Sequence, residues 1–483
     1  MTTSRSVAKS WVPPSVLADR IDPEFYRPEA LAAARWITSG VISTDRLADL
    51  ADLLTDGVHA SPDFTTSGPL YLTATNIQPF HLDISKGYKR ISEATFLRHA
   101  RGNCAPHAKD VLLAKSGRIG VAAVTPPRLK FSVLHSAAIV RFGETTDPYW
   151  TTAVLNSRVG QDQIRRFQKG TAQPMLHLED IAEIRIPRIS PQIQHAIGNK
   201  IRKAERLREF AGACRAEVEC EISSAYGEAP DSDGSLVNWV STTRLSLERL
   251  DGWFHRTFFY DLCDGLKARA GFQTVQRVVK LVKSSASLPF WPSGQFPYFE
   301  IGGIDSATGA AKPEWTAIAD APSRAKFKVI AGDVLVSTVR PSLKAFGQIS
   351  RVFEGAGVAS SGFAVLRAET PELGAYVRAC LAHEAGTAQL MRWNTGGAYP
   401  AIDSSVPLKV LIPWDGQAAA VALGQKAIAA LEALEETTAL FESAKSAVES
   451  LIDGQLDSDA LFREDQDTER WLQQQPTLGD GSV

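Results

Sequence analysis

The feature that most constrains the fold of this chain is a repeat of long period. RIDPEFY at 20–26 returns as RLDGWFH at 249–255, with Asp22 and Asp251 229 residues apart. KDVLLAKSGRIG at 109–120 returns as GDVLVSTVRPSLKAFG at 332–347, with Asp110 and Asp333 223 residues apart. Asp147-Pro148 and Thr370-Pro371 each place an N-cap residue before proline at the first helical position, and each opens about twenty residues of helical pattern ending in glycine. Those glycines begin GTAQP at 170–174 and GGAYP at 396–400, and EIRIP and KVLIP close on Pro187 and Pro413, two pairs of prolines both 226 residues apart. A chain with this pattern is one structural unit used twice.

Each half ends in a long amphipathic stretch. After Ser190-Pro191, apolar or small residues recur at Ile193, Ile197, Ile201, Ala204, Leu207, Ala211, Cys214, Val218 and Ile222, and the second copy offers Ile428, Leu431, Leu434, Thr438, Phe441, Ala444, Val448 and Leu451. Steps of three and four make one helical face. Helices of about 30 residues are roughly 45 Å long, and such helices stay ordered when their stripes find a partner. The simplest architecture is a pseudo-two-fold pair of similar units separated by two long helices in an antiparallel coiled-coil spacer. Residues 227–235, GEAPDSDGS, read as a linker. Within each half, the short apolar runs 111–114, 137–140, 334–336 and 363–366 read as buried strands interleaved with helices, so each unit is expected to be α+β.

Composition narrows the class. The 483 residues are 44% hydrophobic and 22% charged, as in globular protein, with no signal-peptide run and no apolar stretch long enough to cross a bilayer. Five scattered cysteines without C-x-x-C spacing suggest neither a disulfide framework nor zinc, and a cytoplasmic location is expected. The chain has no phosphate loop, dinucleotide fingerprint, nucleophile elbow or H-E-x-x-H, nor the N-P-P-Y type tetrad that holds a flipped base. Pro62-Asp63 and Pro230-Asp231 lack the downstream Glu-x-Lys of a nuclease cluster, and the nine histidines are not at ligand spacing. No catalytic residue, metal or bound cofactor is therefore expected.

The formal net charge of -2 conceals a strong segregation. Between Lys86 and Lys130 there are ten basic residues against Glu93 and Asp110, and between Arg324 and Arg351 six against Asp333. From Asp453 onward eight acids face two bases. Basic stretches in corresponding parts of two repeats point to paired phosphate-contacting surfaces. The candidate DNA-binding residues are Lys89 and Arg90 in the first basic stretch, and Lys115, Ser116 and Arg118 in the turn after the first repeated strand. Lys169, Thr171 and Gln173 in QKGTAQP complete the first half. Arg340, Ser342 and Lys344, with Asn394 and Tyr399 of RWNTGGAYP, are their second-half counterparts. Arginine reads guanine through paired hydrogen bonds, asparagine and glutamine read adenine, and lysine and serine more often hold phosphate.

The succession DVLLAKSGRIG, GTAQPMLHLEDIAEIRIPRISPQIQHAI and a long helix, all used twice, resembles the specificity subunit of type I restriction-modification enzymes. The strongest match is Gly170, Thr171, Gln173, Pro174, Leu178, Ile181, Ile184, Ile186, Pro187, Pro191 and Gln194, at the family's junction between recognition domain and helix. The resemblance spans about residues 20 to 453. In the second half Asp403 and Ile412-Pro413 persist, while WDGQAAA at 414–420 departs from the family's proline-rich helix start and leaves the register of the second helix open.

The resemblance implies target-recognition domains at 1–189 and 247–414, long spacer helices at 190–226 and 415–453, a linker at 227–246 and an acidic tail at 454–483. It further implies a non-catalytic reader of a split site in double-stranded DNA. Two adenine methyltransferase subunits would dock on it and bring S-adenosylmethionine. Whether motor-nuclease subunits join is left open, because a modification-only system needs the same reader. No membrane partner is implied. Two other classes are weighed against this one: a self-contained DNA-modifying enzyme, which lacks its motifs here, and a coiled-coil scaffold for proteins, which leaves the duplicated basic loops without a role.

Overall fold

The computed structural model describes residues 23–28, 31, 35–37, 42–85, 87–169, 174–228, 230, 239–246, 248–286, 291, 293–395, 397 and 399–474. The chain forms two compact units, Met1–Arg206 with Glu436–Val483, and Leu207–Glu435. Their boundary lies inside both long helices, so each unit holds one part of each.

In unit 1 an antiparallel sheet runs in the order Ala51–Asp56, Ala137–Phe142, Val111–Ala114, Ala122–Val124. Val111–Ala114 and Ala122–Val124 are wholly buried, as a continuous apolar run without alternation predicts. A second sheet joins Lys89–Ile91, Phe64–Leu72 and Phe131–Val133, the last pair parallel. Leu70, Leu72, Leu112, Phe131, Val133 and Ile139 share one core.

Unit 2 rebuilds this plan. Val279–Leu281, Phe363–Ala368, Val334–Ser337 and Phe346–Gln348 lie in the same order, extended by Ala310–Ala311 and Ile304–Asp305. Its second sheet runs Glu314–Ala317, Gln295–Phe299, Gly357–Ser360, Ala325–Val329, again with one parallel pair.

The repeat extends to individual bonds. Arg141 grips buried Asp110 through both oxygens at 2.9 and 2.8 Å, and Arg367 grips buried Asp333 at 2.6 and 2.6 Å. The same carboxylates accept the backbone N–H of His107 and Ile330. Gln163 donates to the Arg185 carbonyl and accepts its N–H at 3.1 and 2.8 Å, and Gln389 does the same to Leu411 at 2.9 and 2.8 Å. Each glutamine thereby fixes a strand, Arg185–Pro187 on Thr44–Arg46 and Leu411–Pro413 on Phe272–Thr274. Arg166 covers the Phe25 ring at 3.9 Å and Arg392 covers Phe254 at 4.4 Å, which gives the repeated RIDPEFY and RLDGWFH segments a packing role.

Each predicted twenty-residue helix is in fact two. Pro148–Asn156 and Pro371–Ala382 start at the expected caps, with Asp147 accepting from Tyr149 N–H and Thr370 from Leu373 N–H. They stop at Ser157 and His383, whose side chains cap the next helices, Arg158–Phe167 and Glu384–Arg392. Gly160 and Gly386 follow three residues later, where a Cβ would run into the carbonyls of Val154 and Cys380. Glycine thus lets the second helix fold tightly back on the end of the first.

The expected long helices are Pro191–Tyr226 and Gln417–Ile452. The first stripe is buried from Ile197 to Ile222. The second starts after Gly416, which has φ 105. Within unit 1 the helices are antiparallel: Lys200 donates to Ser443 at 3.1 Å, and Thr437 donates to the Ala204 carbonyl at 3.2 Å. One position of the expected second stripe is corrected. Thr438 is exposed and Thr437 is buried, because Ala433, Thr437, Leu440, Ala444 and Val448 continue the inward steps and the Thr437 hydroxyl has its acceptor. In unit 2 Glu217 pairs with Lys426.

The acidic segment folds into a helix, Ser458–Gln474, rather than a loose tail. It packs in unit 1 against the first long helix, with Glu464 on Lys200, Asp465 on Asn199 and Glu469 on His195. Residues 231–238 of the expected linker and 475–483 of the tail lie outside the described residues. No described helix is long and apolar enough to cross a membrane.

Candidate nucleic-acid interface

The two turns singled out by the sequence follow equivalent strands. Val111–Ala114 leads into Lys115, Ser116, Gly117 and Arg118; Val334–Ser337 leads into Thr338 to Lys344. Each turn is held by the segment after its second short helix through the same bond. Leu176 N–H donates to the Lys115 carbonyl at 3.0 Å in unit 1, and Ile402 N–H to the Thr338 carbonyl at 2.9 Å in unit 2. The holding segments are themselves pinched by matching bridges, Lys169 with Met175 and Thr395 with Ala401. Sites more than fifty residues apart in sequence are thus brought to one place in each unit, on a scaffold that fixes their backbones.

The turns differ in how they free their side chains. In unit 1 Gly117 has φ 71, and Arg118 is exposed with its guanidinium donating to the Gln78 side-chain oxygen. Lys115 is 6% exposed and ion-paired with Asp56. Lys169 pairs with Glu179 at 2.9 Å and Asp180 at 3.0 Å, and these partners, the Glu179 hydrogen bond first, hold its ammonium above the usual lysine range. Both lysines therefore brace the loops. Ser116 is half-buried beside the exposed Arg118. Thr171 and Gln173 lie outside the described residues.

In unit 2 Arg340 and Lys344 take φ 48 and 53, left-handed conformations unusual for side chains that carry a Cβ. They bracket a 3₁₀ turn, Pro341–Leu343. Arg340 N–H donates to the Pro400 carbonyl at 2.7 Å and its guanidinium lies 4.9 Å from the centre of the Tyr399 ring. Arg340, Ser342 and Tyr399 are exposed and Lys344 is half-buried. Backbone strain of this kind is maintained only where surrounding bonds over-determine it. Asn394 is half-buried at the end of the helix Glu384–Arg392. Its carbonyl accepts from Arg249, and its side-chain oxygen is buried without a protein partner among the described residues.

Lys89 and Arg90 sit apart from these turns, on the strand Lys89–Ile91. Lys89 lies over the Phe64 ring at 4.0 Å, and Arg90 donates to the Gly68 carbonyl at 2.7 Å where the neighbouring strand bulges. The sequence pattern does not reveal the parts that hold the turns in place. Asp110 and Asp333 are landmarks of the repeat, but nothing local marks their partners Arg141 and Arg367. Gln163 and Gln389 recur at the 226-residue period, the signal that could have found them.

No protein-family model and no curated protein matches the chain. Solved structures do. The type I restriction-modification system S subunit from M. genitalium aligns over 88% of this chain and 96% of that one, at 13% identity and TM-score 0.41. The HsdS subunit from Thermoanaerobacter tengcongensis aligns over 86% and 97%, at 16% identity and TM-score 0.25. A structure of complex assembly and conformational transition of the type I R-M system aligns over 86% and 98%, at 16% identity and TM-score 0.27.

Proposed function

We propose that the chain is the DNA sequence-specificity subunit of a type I restriction-modification system, acting in the cytoplasm. Each unit reads one half of a bipartite site in double-stranded DNA. Two adenine methyltransferase subunits bind this chain and carry out methyl transfer from S-adenosylmethionine, so this chain supplies recognition without catalysis. A motor-nuclease subunit is compatible with this reading but not required by it.

The observation that carries the reading is the duplicated junction. An equivalent strand, an equivalent carbonyl and an equivalent bridge present an exposed arginine in each unit, Arg118 and Arg340. A fixed backbone with an exposed guanidinium is the chemistry of base-edge recognition, in which a paired contact to guanine discriminates by about 1–3 kcal/mol. The ring of Tyr399 and the hydroxyls of Ser116 and Ser342 suit flanking sugar and phosphate.

The test is DNA binding by the chain assembled with an adenine methyltransferase partner. Bipartite, salt-dependent selection of one sequence from a random library supports the reading. Binding with no sequence preference, or sequence-specific methylation by the partner in the absence of this chain, overturns it.

A further inference from the structure

The edge strand of the main sheet carries opposite charge in the two units. In unit 1 it is Ala51–Asp56, with Leu54 opposite Val140 and exposed Asp52 near its start. In unit 2 it is Val279–Leu281, with Leu281 opposite the equivalent Leu366, and it is flanked by exposed Arg277, Lys280 and Lys283. The chain then continues beside a strand that unit 1 lacks among its described residues. Lys328 N–H donates to the Ser284 carbonyl at 3.2 Å and Ala286 N–H to the Lys326 carbonyl at 2.8 Å, which joins Ala325–Val329 to the end of the edge segment. On that strand Lys326 and Lys328 are exposed while Phe327 between them is half-buried, the alternation that puts both lysines on one face about 6.6 Å apart. A cleft of about 500 Å³ runs along residues 276–284 and is closed by Arg367, Ala368 and Glu369. Arg367 is committed to Asp333, and Glu369 is the one acid on the cleft wall. Among the described residues no carboxylate forms an ion pair with Arg277, Lys280, Lys283, Lys326 or Lys328.

We propose that this lysine-rich double edge of unit 2 is a second DNA contact, which binds the phosphate backbone outside the reading turns and has no equivalent on unit 1. The proposal rests on the reading of the chain as a DNA-binding subunit. Lysine and serine on exposed strands are the side chains that neutralise phosphate and release counterions without reading bases. A protein partner is disfavoured by composition. Interfaces between proteins are depleted in lysine and centred on buried aromatic or arginine anchors, and this patch presents four lysines and no exposed aromatic ring. Unit 2 therefore holds DNA partly through contacts blind to sequence, whereas the acidic edge of unit 1 repels it.

The experiment measures the full chain binding a labelled random-sequence duplex as salt is raised from about 50 to 200 mM. It compares wild type, Lys280→Gln/Lys283→Gln/Lys326→Gln/Lys328→Gln, and the same four positions changed to Arg. Removing one phosphate-neutralising lysine lowers the slope of log affinity against log salt by about 0.9, so the Gln variant should show a slope shallower by about 3 to 4 and the Arg variant should keep the wild-type value. The ratio of specific to random-sequence affinity should stay constant in the Gln variant. A folded Gln variant with wild-type slope overturns the proposal and marks the lysines as edge protection against strand pairing. An Arg variant as defective as the Gln variant overturns it too. Wild-type binding that is salt-dependent but indifferent to sequence leaves the patch standing and sinks the reading of the chain as a specificity subunit. Absence of duplex binding by wild type at low salt sinks both.

Discussion

Between equivalent strands, the two units place different structures in the same slot. Unit 1 lays the helix Glu93–Arg101 along Phe131–Val133, tied by His99 to Ser132 at 3.1 Å; unit 2 lays the strand Ala325–Val329 along Gly357–Ser360 by a backbone ladder. Local sequence decides each case. Ser92 caps Thr95 N–H, Glu93 sits in the first turn and Arg98, His99 and Arg101 in the last, all favourable to a helix dipole. Ala-Lys-Phe-Lys-Val alternates as a half-buried strand does. The bonds around the slot are copied almost atom for atom, and the insert is not. A scaffold over-determined by buried ion pairs and side-chain clamps can carry changing loops without losing its shape, and sequence preference can then differ between two copies of one fold.

The largest test of that equivalence is the buried ion pair. Removing one partner of a buried pair costs about 3–5 kcal/mol because the other charge stays behind. Arg141→Ala strands Asp110 and Arg367→Ala strands Asp333, both almost fully buried. Both variants should fall near the lower end of that range in denaturant unfolding of the full chain, with Arg367→Ala the milder, since its side chain is 40% exposed against 26% for Arg141. Equal stability of either variant with wild type would show that the repeated geometry is not what holds that unit.

Next in size are the glycines that let the paired helices fold back. Gly160→Ala and Gly386→Ala each push a Cβ into a backbone carbonyl, and overpacking of this kind typically costs about 1–3 kcal/mol. The two losses should agree closely because the clashing atoms correspond. A silent Gly386→Ala beside a damaging Gly160→Ala would break the comparison at its tightest point.

Function gives the third test. Arg118→Ala and Arg340→Ala should each weaken specific binding by about 1–3 kcal/mol and relax selection at one position in different half-sites. Lys115→Ala and Lys169→Ala should instead act through stability, because both ammonium groups are spent on carboxylates. Unchanged affinity and unchanged methylation pattern in both arginine variants would remove the turns from the interface.

Much of the scaffold was legible because it depends on near neighbours. The apolar runs at 111–114 and 334–336 are strands, and the long stripe from Ile197 to Ile222 is buried as its spacing requires. What stayed hidden depends on distant partners. Lys115 looks like a phosphate ligand until Asp56, fifty-nine residues earlier, is brought against it. The break at Ser157 was hidden by a helical pattern that runs on unbroken, although Ser157 with Gly160 is a cap followed by a residue small enough for a sharp return. Arg340 and Tyr399 were each visible as candidates, but their stacking follows from a hydrogen bond between segments sixty residues apart.

The smallest predicted effect concerns what unit 1 has and unit 2, among its described residues, lacks: the acidic helix Ser458–Gln474. Burial raises the Asp465 carboxyl above its ordinary value of 3.8, against the opposing hydrogen bond from Asn199 and with Glu469 adding repulsion. A carboxyl whose pKa is higher folded than unfolded binds its proton more tightly in the folded state. Its contribution to stability is therefore fully present below the unfolded pKa and is lost as pH rises through the folded one. At neutral pH the charged Asp465 is a standing cost, partly screened because the side chain is only half covered. Asp465→Asn keeps an acceptor for the Asn199 amide and removes the charge. The variant should melt slightly higher than wild type at pH 7, and the gap should close as pH falls toward 4. A gap that widens on acidification would mean that Asp465 attracts His195 and Arg202 more than burial penalises it, and the helix would then be held to unit 1 chiefly by charge.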